Sequence, residues 1–407
     1  MKKLEVFFCG WGQKWLLGTL ADNGKDLLFE YSQAALAKGI EFSPRSLRLQ
    51  AHAYGDFPEH QYRLPGLIAD ALPDGWGMLL MDRLFAKLGF ERSQISPLDR
   101  LAFIGERAVG ALTFEPGSDI ELAPADLKLL ALAKAAKAVI AGKESAALKQ
   151  LILLGGSPHG ARPKVLVQYD AAAGLISTDE TAAGTPWLVK FQGRDEHKEV
   201  CAVEHLYAQL ARNCRLEMPR TQYFDLDQSL AGFGIERFDR YQGMRVPVHT
   251  LAGALNTNFR LAGIGYQSLL RATRLFTQSE REVEKAFERC VFNVVFNNRD
   301  DHAKNFSFRM DHTLTWKLAP CYDLTYNEGA GGEHQMDVEG EGRAPAKADL
   351  LKLATTNSLK LAWAAEAIER MTASAGEFKT AAKDYAIRQG TRTKIATAIE
   401  KNRLRMA

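Results

Sequence analysis

The chain has 407 residues, enough for two or three domains that each bury a core. Hydrophobic residues make up 46% and charged residues 25%, ordinary for a soluble globular protein, and a net charge of +3 makes no case for direct nucleic-acid binding. The five cysteines (Cys9, Cys201, Cys214, Cys290, Cys321) show neither a C-x-x-C pair nor metal-ligand spacing, which points to buried small apolar residues in a reducing compartment rather than a disulfide framework.

The first residues, Met1-Lys-Lys-Leu-Glu-Val-Phe-Phe-Cys9, open as a secretory signal does, but Gln13 and Lys14 interrupt the apolar run at once. No apolar stretch reaches the ~18 residues of a membrane span, so the expectation is a cytoplasmic protein without a membrane partner. Leu4–Phe8 and Trp15–Leu20 have strand composition, joined by a turn at Gly10-Trp-Gly12. A helix is predicted from Gly75 to Leu88, behind Asp70-Ala-Leu-Pro-Asp74, and a further strand over Val109–Phe114. The Ala-, Leu- and Lys-rich residues 120–150 predict connecting helices, with Asp126 as a cap. Lys164–Tyr169 and Trp187–Phe191 alternate and read as paired strands, followed by a helix over Glu196–Asn213 and a strand over Gly232–Phe238. Ser279 and Glu282 fit a capping box. Behind them Val283, Ala286, Phe287, Cys290, Val291, Val294 and Val295 recur at helical spacing. That buried helix delivers the chain into Asn298–Asn305. Beyond residue 345 the pattern is helical and charged.

The chemistry gathers around Asn298-Arg-Asp-Asp-His-Ala-Lys-Asn305. Phosphoryl transfer needs a cradle for the phosphates, a cation to fix them, oxygen ligands for Mg²⁺ and a base to orient the attacking hydroxyl. Asp300 and Asn305 have the Asp-x4-Asn spacing of a kinase catalytic loop, in which the Asp is the base and the Asn binds Mg²⁺. Asp301 is the rival base, one residue out of register. The bare motif also suits a polar loop capping the preceding helix. Phe306–Arg309 and Thr313–Leu318 then predict a hairpin around Met310-Asp-His312, ending at Ala319-Pro-Cys-Tyr-Asp323. Asp323 thus stands where kinases place the second metal ligand, without the Phe-Gly that usually follows it. Lys190, in an apolar strand, needs an anionic partner, and Glu199 and Glu204 on the next helix are candidates. As a bland alternative, Lys190 guards a sheet edge. Gly155-Gly-Ser-Pro-His-Gly-Ala-Arg-Pro-Lys164 offers backbone N–H groups and positive charge for phosphates, but it matches neither Walker A nor G-x-G-x-x-G.

Taken together, Gly155–Lys164, Lys190, Glu236-Arg-Phe-Asp-Arg240, Asp300–Asn305, Ala319–Asp323 and Leu64–Gly77 resemble the HipA family over most of the chain. The resemblance implies an α+β, protein-kinase-like fold with a small N-terminal mixed α/β subdomain and a mostly helical C-terminal lobe. Its parts would be residues 1–115, a kinase N-lobe part over 116–240, and a C-lobe over 241–407. It implies an ATP- and Mg²⁺-dependent serine/threonine kinase, the toxin of a bacterial toxin–antitoxin module. Its partner would be a HipB-like helix-turn-helix antitoxin, with DNA met only through that complex, and its target a protein such as an aminoacyl-tRNA synthetase. Carried over, Asp300 is the base, and Asn305 and Asp323 hold the metal. His159, Gly160, Ala161, Arg162, Pro163 and Lys164 form the phosphate loop, and Lys190 holds the α/β phosphates, ion-paired with Glu204 in preference to Glu199. Glu236, Arg237 and Phe238 face adenine, and His302, Ala303, Lys304 and Tyr322 complete the nucleotide site. Ser157 matches the family's autophosphorylated serine, whose added charge would eject the loop. Val248–Leu255 lacks an acidic pair common in the family, and Asp301 replaces a smaller residue; both put substrate identity in question rather than ATP chemistry. The alternatives are a small-molecule phosphotransferase and a non-toxic HipA-like regulator.

Overall fold

The computed structural model describes residues 1–118, 120, 128–143, 147–156, 158–179 and 181–407; the predicted cap Asp126 and phosphorylation site Ser157 lie outside them. The described chain forms two compact units, Met1–Cys201 with Arg220–His249, and Ala202–Pro219 with Thr250–Ala407.

The first unit opens with strands β1 (Lys3–Phe8), β2 (Trp15–Asp22), β3 (Leu27–Tyr31), β4 (Ala53–Tyr54) and β5 (Leu112–Glu115), in the order β4-β3-β2-β1-β5. Leu4, Val6 and Phe8 of β1 are fully buried while Lys3, Glu5 and Phe7 are not, the period of two expected of a sheet with one covered face. Around it lie helices α1 (Gln33–Lys38), α2 (Gly66–Ala69), α3 (Gly75–Lys87) and α4 (Pro97–Ile104), followed by α5 (Leu129–Ile140) and α6 (Leu148–Gly155). Helix α4 begins in a formed capping box, the Ser96 hydroxyl accepting from Asp99 N–H and the Asp99 carboxylate from Ser96 N–H. A second sheet contains β6 (Lys164–Asp170), β7 (Leu175–Ser177), β8 (Thr185–Phe191), β9 (Thr221–Asp225) and β10 (Ala231–Glu236), in the order β7-β6-β8-β10-β9. The stretch between β6 and β8, expected only as a connection, folds β7 back onto β6. Two-residue strands β11 (Arg240–Tyr241) and β12 (Met244–Arg245) pair as a hairpin, and β13 (Val248–Thr250) follows.

Helix α7 (Glu199–Asn213) starts in the first unit and continues into the second. The second unit holds α8 (Leu251–Leu255), α9 (Tyr266–Thr277) and α10 (Glu280–Val295), then strands β14 (Ser307–Met310) and β15 (Trp316–Leu318), and helices α11 (Lys347–Thr356), α12 (Leu361–Gly376), α13 (Phe378–Ala381) and α14 (Gln389–Leu404). All seven apolar positions predicted for α10 are buried. The predicted capping box at its start is not formed: Ser279 makes no side-chain capping bond. Glu282 is buried instead and accepts from Leu318 N–H at 2.9 Å and from Lys285 Nζ at 2.9 Å. A carboxylate taken out of water needs such partners more than a helix end, still open to solvent, needs its cap. Glu282 thereby ties α10 to β15.

One buried ion cluster joins the two sheets of the first unit. Asp239 accepts from Gly110 N–H at 2.9 Å, from Arg237 at 2.8 Å through two nitrogens, and from Arg240 at 2.8 Å. Burial alone would raise its carboxyl, but the two guanidiniums outweigh burial and hold it well below the usual carboxylate range. Asp239→Asn would leave both arginines without counter-charge and is expected to lower the unfolding free energy by about 3 kcal/mol. Because the folded-state pKa is depressed, this contribution is complete above the unfolded value near about pH 4 and is lost as pH falls further. The gap between wild type and variant in urea titrations should therefore be full at neutral pH and shrink below about pH 4. A gap that widened on acidification would contradict this assignment.

Candidate active site

In the first unit, β6 and β8 pair so that Lys164 lies directly opposite Lys190. Their residues are only 3% and 6% exposed. Like charges facing each other across a ladder repel, and burial weakens the solvent screening that would relieve them. The arrangement suits an anion. Lys164 Nζ donates to the carbonyl of His159, so the loop before β6 curls back over its own lysine. The row continues through Phe233, opposite Lys190, to Tyr223. Lys190 Nζ lies 5.8 Å from the Phe233 ring centroid, a cation–π contact. Among the described residues the buried Tyr223 hydroxyl has no hydrogen-bond partner, and burial, then Asp225, pushes its pKa up to about 12. It stays a neutral hydroxyl, in the same register row as the two lysines. In the same unit Arg162 pairs with Glu196 at 3.2 Å.

The segment Glu236–Phe238, expected from the resemblance to face adenine, is more constrained than its sequence suggests. Glu236 is clasped by Arg220 through two bonds of 2.8 Å, its N–H donates to Arg220's carbonyl at 2.9 Å, and Arg237 N–H donates to Pro186's carbonyl at 2.8 Å. Arg237's guanidinium belongs to the Asp239 cluster. Lys190 and Glu199 lie in the first unit and Glu204 in the second. Both glutamates are buried, and their separation of five residues puts them on different faces of α7.

In the second unit the two neighbouring aspartates of the loop are sharply different. The Asp301 side chain is fully buried, accepting from the Tyr266 hydroxyl at 2.6 Å, from His334 Nδ1 at 2.7 Å and from Gln335 N–H at 2.8 Å. Burial, then the Asp301 carboxylate, pushes the Tyr266 phenol well above its ordinary pKa, so it donates as a neutral hydroxyl. Behind it Asn293 donates to Tyr266 at 2.9 Å and accepts from Asn298 Nδ2 at 3.0 Å, which fixes the loop's first residue from within α10. The Asp300 side chain, by contrast, is 48% exposed, with His302 Nε2 at 3.9 Å, too far for a hydrogen bond. Asn305 Nδ2 donates to Asp300's main-chain carbonyl at 2.6 Å, which orients the amide so that its oxygen faces away from that bond.

Tyr322 brings the second metal-ligand candidate to this loop. Its hydroxyl donates to Lys304's carbonyl at 2.7 Å and lies 2.5 Å from Ser307 Oγ. The next residue, Asp323, adopts a left-handed φ of 55°, which aspartate tolerates better than most residues. Ahead of it, Cys321 N–H donates to Glu217's carbonyl at 2.7 Å and Arg289 donates to Ala319's carbonyl. Lys304 lies over the Phe259 ring at 4.5 Å and His302 beside it at 5.4 Å. Ala303 is buried.

Among the described residues, no group of three or more His, Cys, Asp and Glu side chains is placed to hold a metal ion. Mg²⁺ does not require one, since it is commonly held by one or two oxygen ligands with the rest from phosphate and water. An oriented amide oxygen at Asn305 and the Asp323 carboxylate fit that pattern. Sequence reasoning did not single out Tyr266, Asn293 or His334, and it took Leu64–Gly77 only as part of the family resemblance, not as the turn that holds residues 159–164. Tyr266 and His334 meet Asp301 from 35 and 33 residues away, so spacing alone gave no signal for them.

Family comparison agrees with this architecture. Residues 11–115 match the HipA N-terminal domain and residues 156–379 the HipA-like C-terminal domain. The second match alone covers more than half of the chain, and the chain belongs to the HipA family. No curated protein matches the sequence. Among solved structures, HipA from Shewanella oneidensis MR-1, in complex with HipB and operator DNA, is 17% identical, with 99% of this chain and 96% of that chain covered and a TM-score of 0.70. The Helicobacter pylori proinflammatory kinase CtkA is 11% identical, with 59% of this chain and 93% of that chain covered and a TM-score of 0.43. The fold is thus α+β and HipA-type, as the resemblance implied.

The two aspartates should separate in their effect on stability. Asp301→Ala leaves His334 and Tyr266 facing a buried void and is expected to cost about 3 kcal/mol of unfolding free energy. Asp300→Ala should fall within about 0.5 kcal/mol of wild type in the same urea titration. Equal losses would mean that Asp300 is a structural residue too.

Proposed function

We propose that the chain is an ATP- and Mg²⁺-dependent serine/threonine protein kinase and the toxin of a toxin–antitoxin module. The observation that carries this reading is the division between an inward Asp301, fully committed to the framework, and an outward Asp300 beside an oriented Asn305. In this reading Lys164 and Lys190 take the nucleotide's phosphates, with loop residues His159–Pro163 supplying donors. Glu204 is the glutamate assigned to Lys190, and Glu236–Phe238 are the segment assigned to adenine. Asn305 and Asp323 hold Mg²⁺, which neutralises charge on the phosphates when bound. Asp300 accepts the proton of the attacking serine or threonine hydroxyl. His302, Ala303, Lys304 and Tyr322 are the remaining residues assigned to the nucleotide.

Residues 1–115, 116–240 and 241–407 serve as accessory subdomain, nucleotide-binding part and catalytic lobe. A HipB-like antitoxin is the partner, with DNA met through it, supported by the composition of the Shewanella complex. A translation component such as an aminoacyl-tRNA synthetase is the substrate class. Self-inactivation by phosphorylation of Ser157 completes the reading.

Incubating the purified chain with Mg²⁺ and radiolabelled ATP should label the protein at Ser157, and Ser157→Ala should remove that label. Label passing only to an added aminoglycoside, with none on protein, would favour the small-molecule phosphotransferase. Asn305→Ala should raise the Mg²⁺ concentration needed for half-maximal transfer by about tenfold, in line with the loss of a metal-ligand contact. An unchanged Mg²⁺ dependence would remove Asn305 from the metal site.

A further inference from the structure

Helix α3 starts in an unusual way. Its N-cap is Asp74, a residue type that ordinarily accepts a hydrogen bond from its own helix's first turn, yet the Asp74 side chain makes no such bond. The carboxylate accepts instead from Gly160 N–H, in the middle of the loop assigned to phosphate. It does so while 8% exposed, so the contact is a built one rather than a passing surface bond.

Three further hydrogen bonds hold the same loop against this stretch. His159 Nε2 lies 2.9 Å from Leu72's carbonyl, Trp76 N–H donates to Gly160's carbonyl at 3.1 Å, and the Trp76 indole N–H donates to Lys164's carbonyl at 3.1 Å. A side chain at Gly75, which has φ +39°, would stand 2.7 Å from Ala161 Cα, and one at Gly77 would stand 2.8 Å from Gly156's carbonyl oxygen. The two glycines flanking Trp76 are thus the condition for the loop to lie this close. All of these residues belong to the first unit.

We infer that the turn Pro73–Gly77 is a clamp that positions the phosphate loop and thereby sets nucleotide affinity, with Asp74 and Trp76 as its positioning residues. The inference deepens the kinase reading and rests on it for the identity of the nucleotide. A loop whose N–H groups are already aimed binds phosphate without the cost of ordering itself first. The clamp also defines what displacement of the loop has to break: the Asp74–Gly160 bond and the two Trp76 bonds. Regulation acting on the loop, such as added charge at its serine, would work against residues contributed by the N-terminal region.

The test compares Asp74→Ala, Asp74→Asn and Trp76→Phe in the full chain. Asparagine keeps an acceptor oxygen and the shape, and phenylalanine keeps most of the ring while removing the indole donor. Calorimetric titration with Mg–ATP should show about tenfold weaker binding for Asp74→Ala and affinity within about threefold of wild type for Asp74→Asn, with Trp76→Phe between them. Hydrogen exchange without nucleotide supplies a readout independent of binding: the Gly160 amide should exchange about tenfold faster in Asp74→Ala and be largely restored in Asp74→Asn. Melting curves identify a variant that has lost its fold, for which Asp74→Asn and Trp76→Phe stand in. Wild-type affinity in Asp74→Ala, or an unchanged Gly160 exchange rate, overturns the clamp. If the wild type itself fails to bind Mg–ATP, the kinase reading falls, and the exchange arm alone then decides whether the turn holds the loop.

Discussion

Asp301 is the interaction on which the second unit's chemistry depends. A fully buried carboxylate is tolerable only when each of its oxygens is occupied, and here a tyrosine from α9, a histidine and a main-chain amide from the segment after β15 converge on it. This convergence joins three stretches of chain at one point. It also fixes the backbone on either side, so that the adjacent residue, Asp300, faces outward on a loop that is otherwise immobilised. A carboxylate next to an anchored residue is oriented without needing a scaffold of its own.

The first unit follows a similar logic with opposite sign. Lys164 and Lys190, buried and opposite each other, make a concentrated positive site, while Asp239 gathers two arginines and a main-chain amide a few residues beyond β10. The cluster at Asp239 is balanced and structural. The lysine row is where the proposed kinase reading places the nucleotide's phosphates.

Much of this was legible in the sequence. The seven apolar positions of α10 follow helical spacing, the β6 and β8 strands alternate, and Asp300 and Asn305 stand at a spacing that has a chemical reason. The directly facing pair of lysines was not read, although each was singled out, because register depends on how the intervening β7 hairpin folds back. The capping box at Ser279 illustrates a local signal overruled: Glu282 had a better use inside the unit than at the helix end. Asp74 shows the reverse, a residue that looks like an ordinary helix cap but serves a loop 86 residues further on. Spacing to Asn305 favoured Asp300 over the neighbouring Asp301, and burial shows how different their surroundings are.

The central claim is that Asp300 performs proton acceptance while the framework around it stays intact without it. Single-turnover transfer of phosphate from ATP to protein, with wild type and Asp300→Ala compared at equal nucleotide saturation, measures this most directly. The account predicts a rate lower by about 10²–10⁴-fold in the variant with ATP affinity and melting temperature unchanged. Transfer at the wild-type rate in Asp300→Ala would contradict it, and would return the search for the base to a residue outside the catalytic loop.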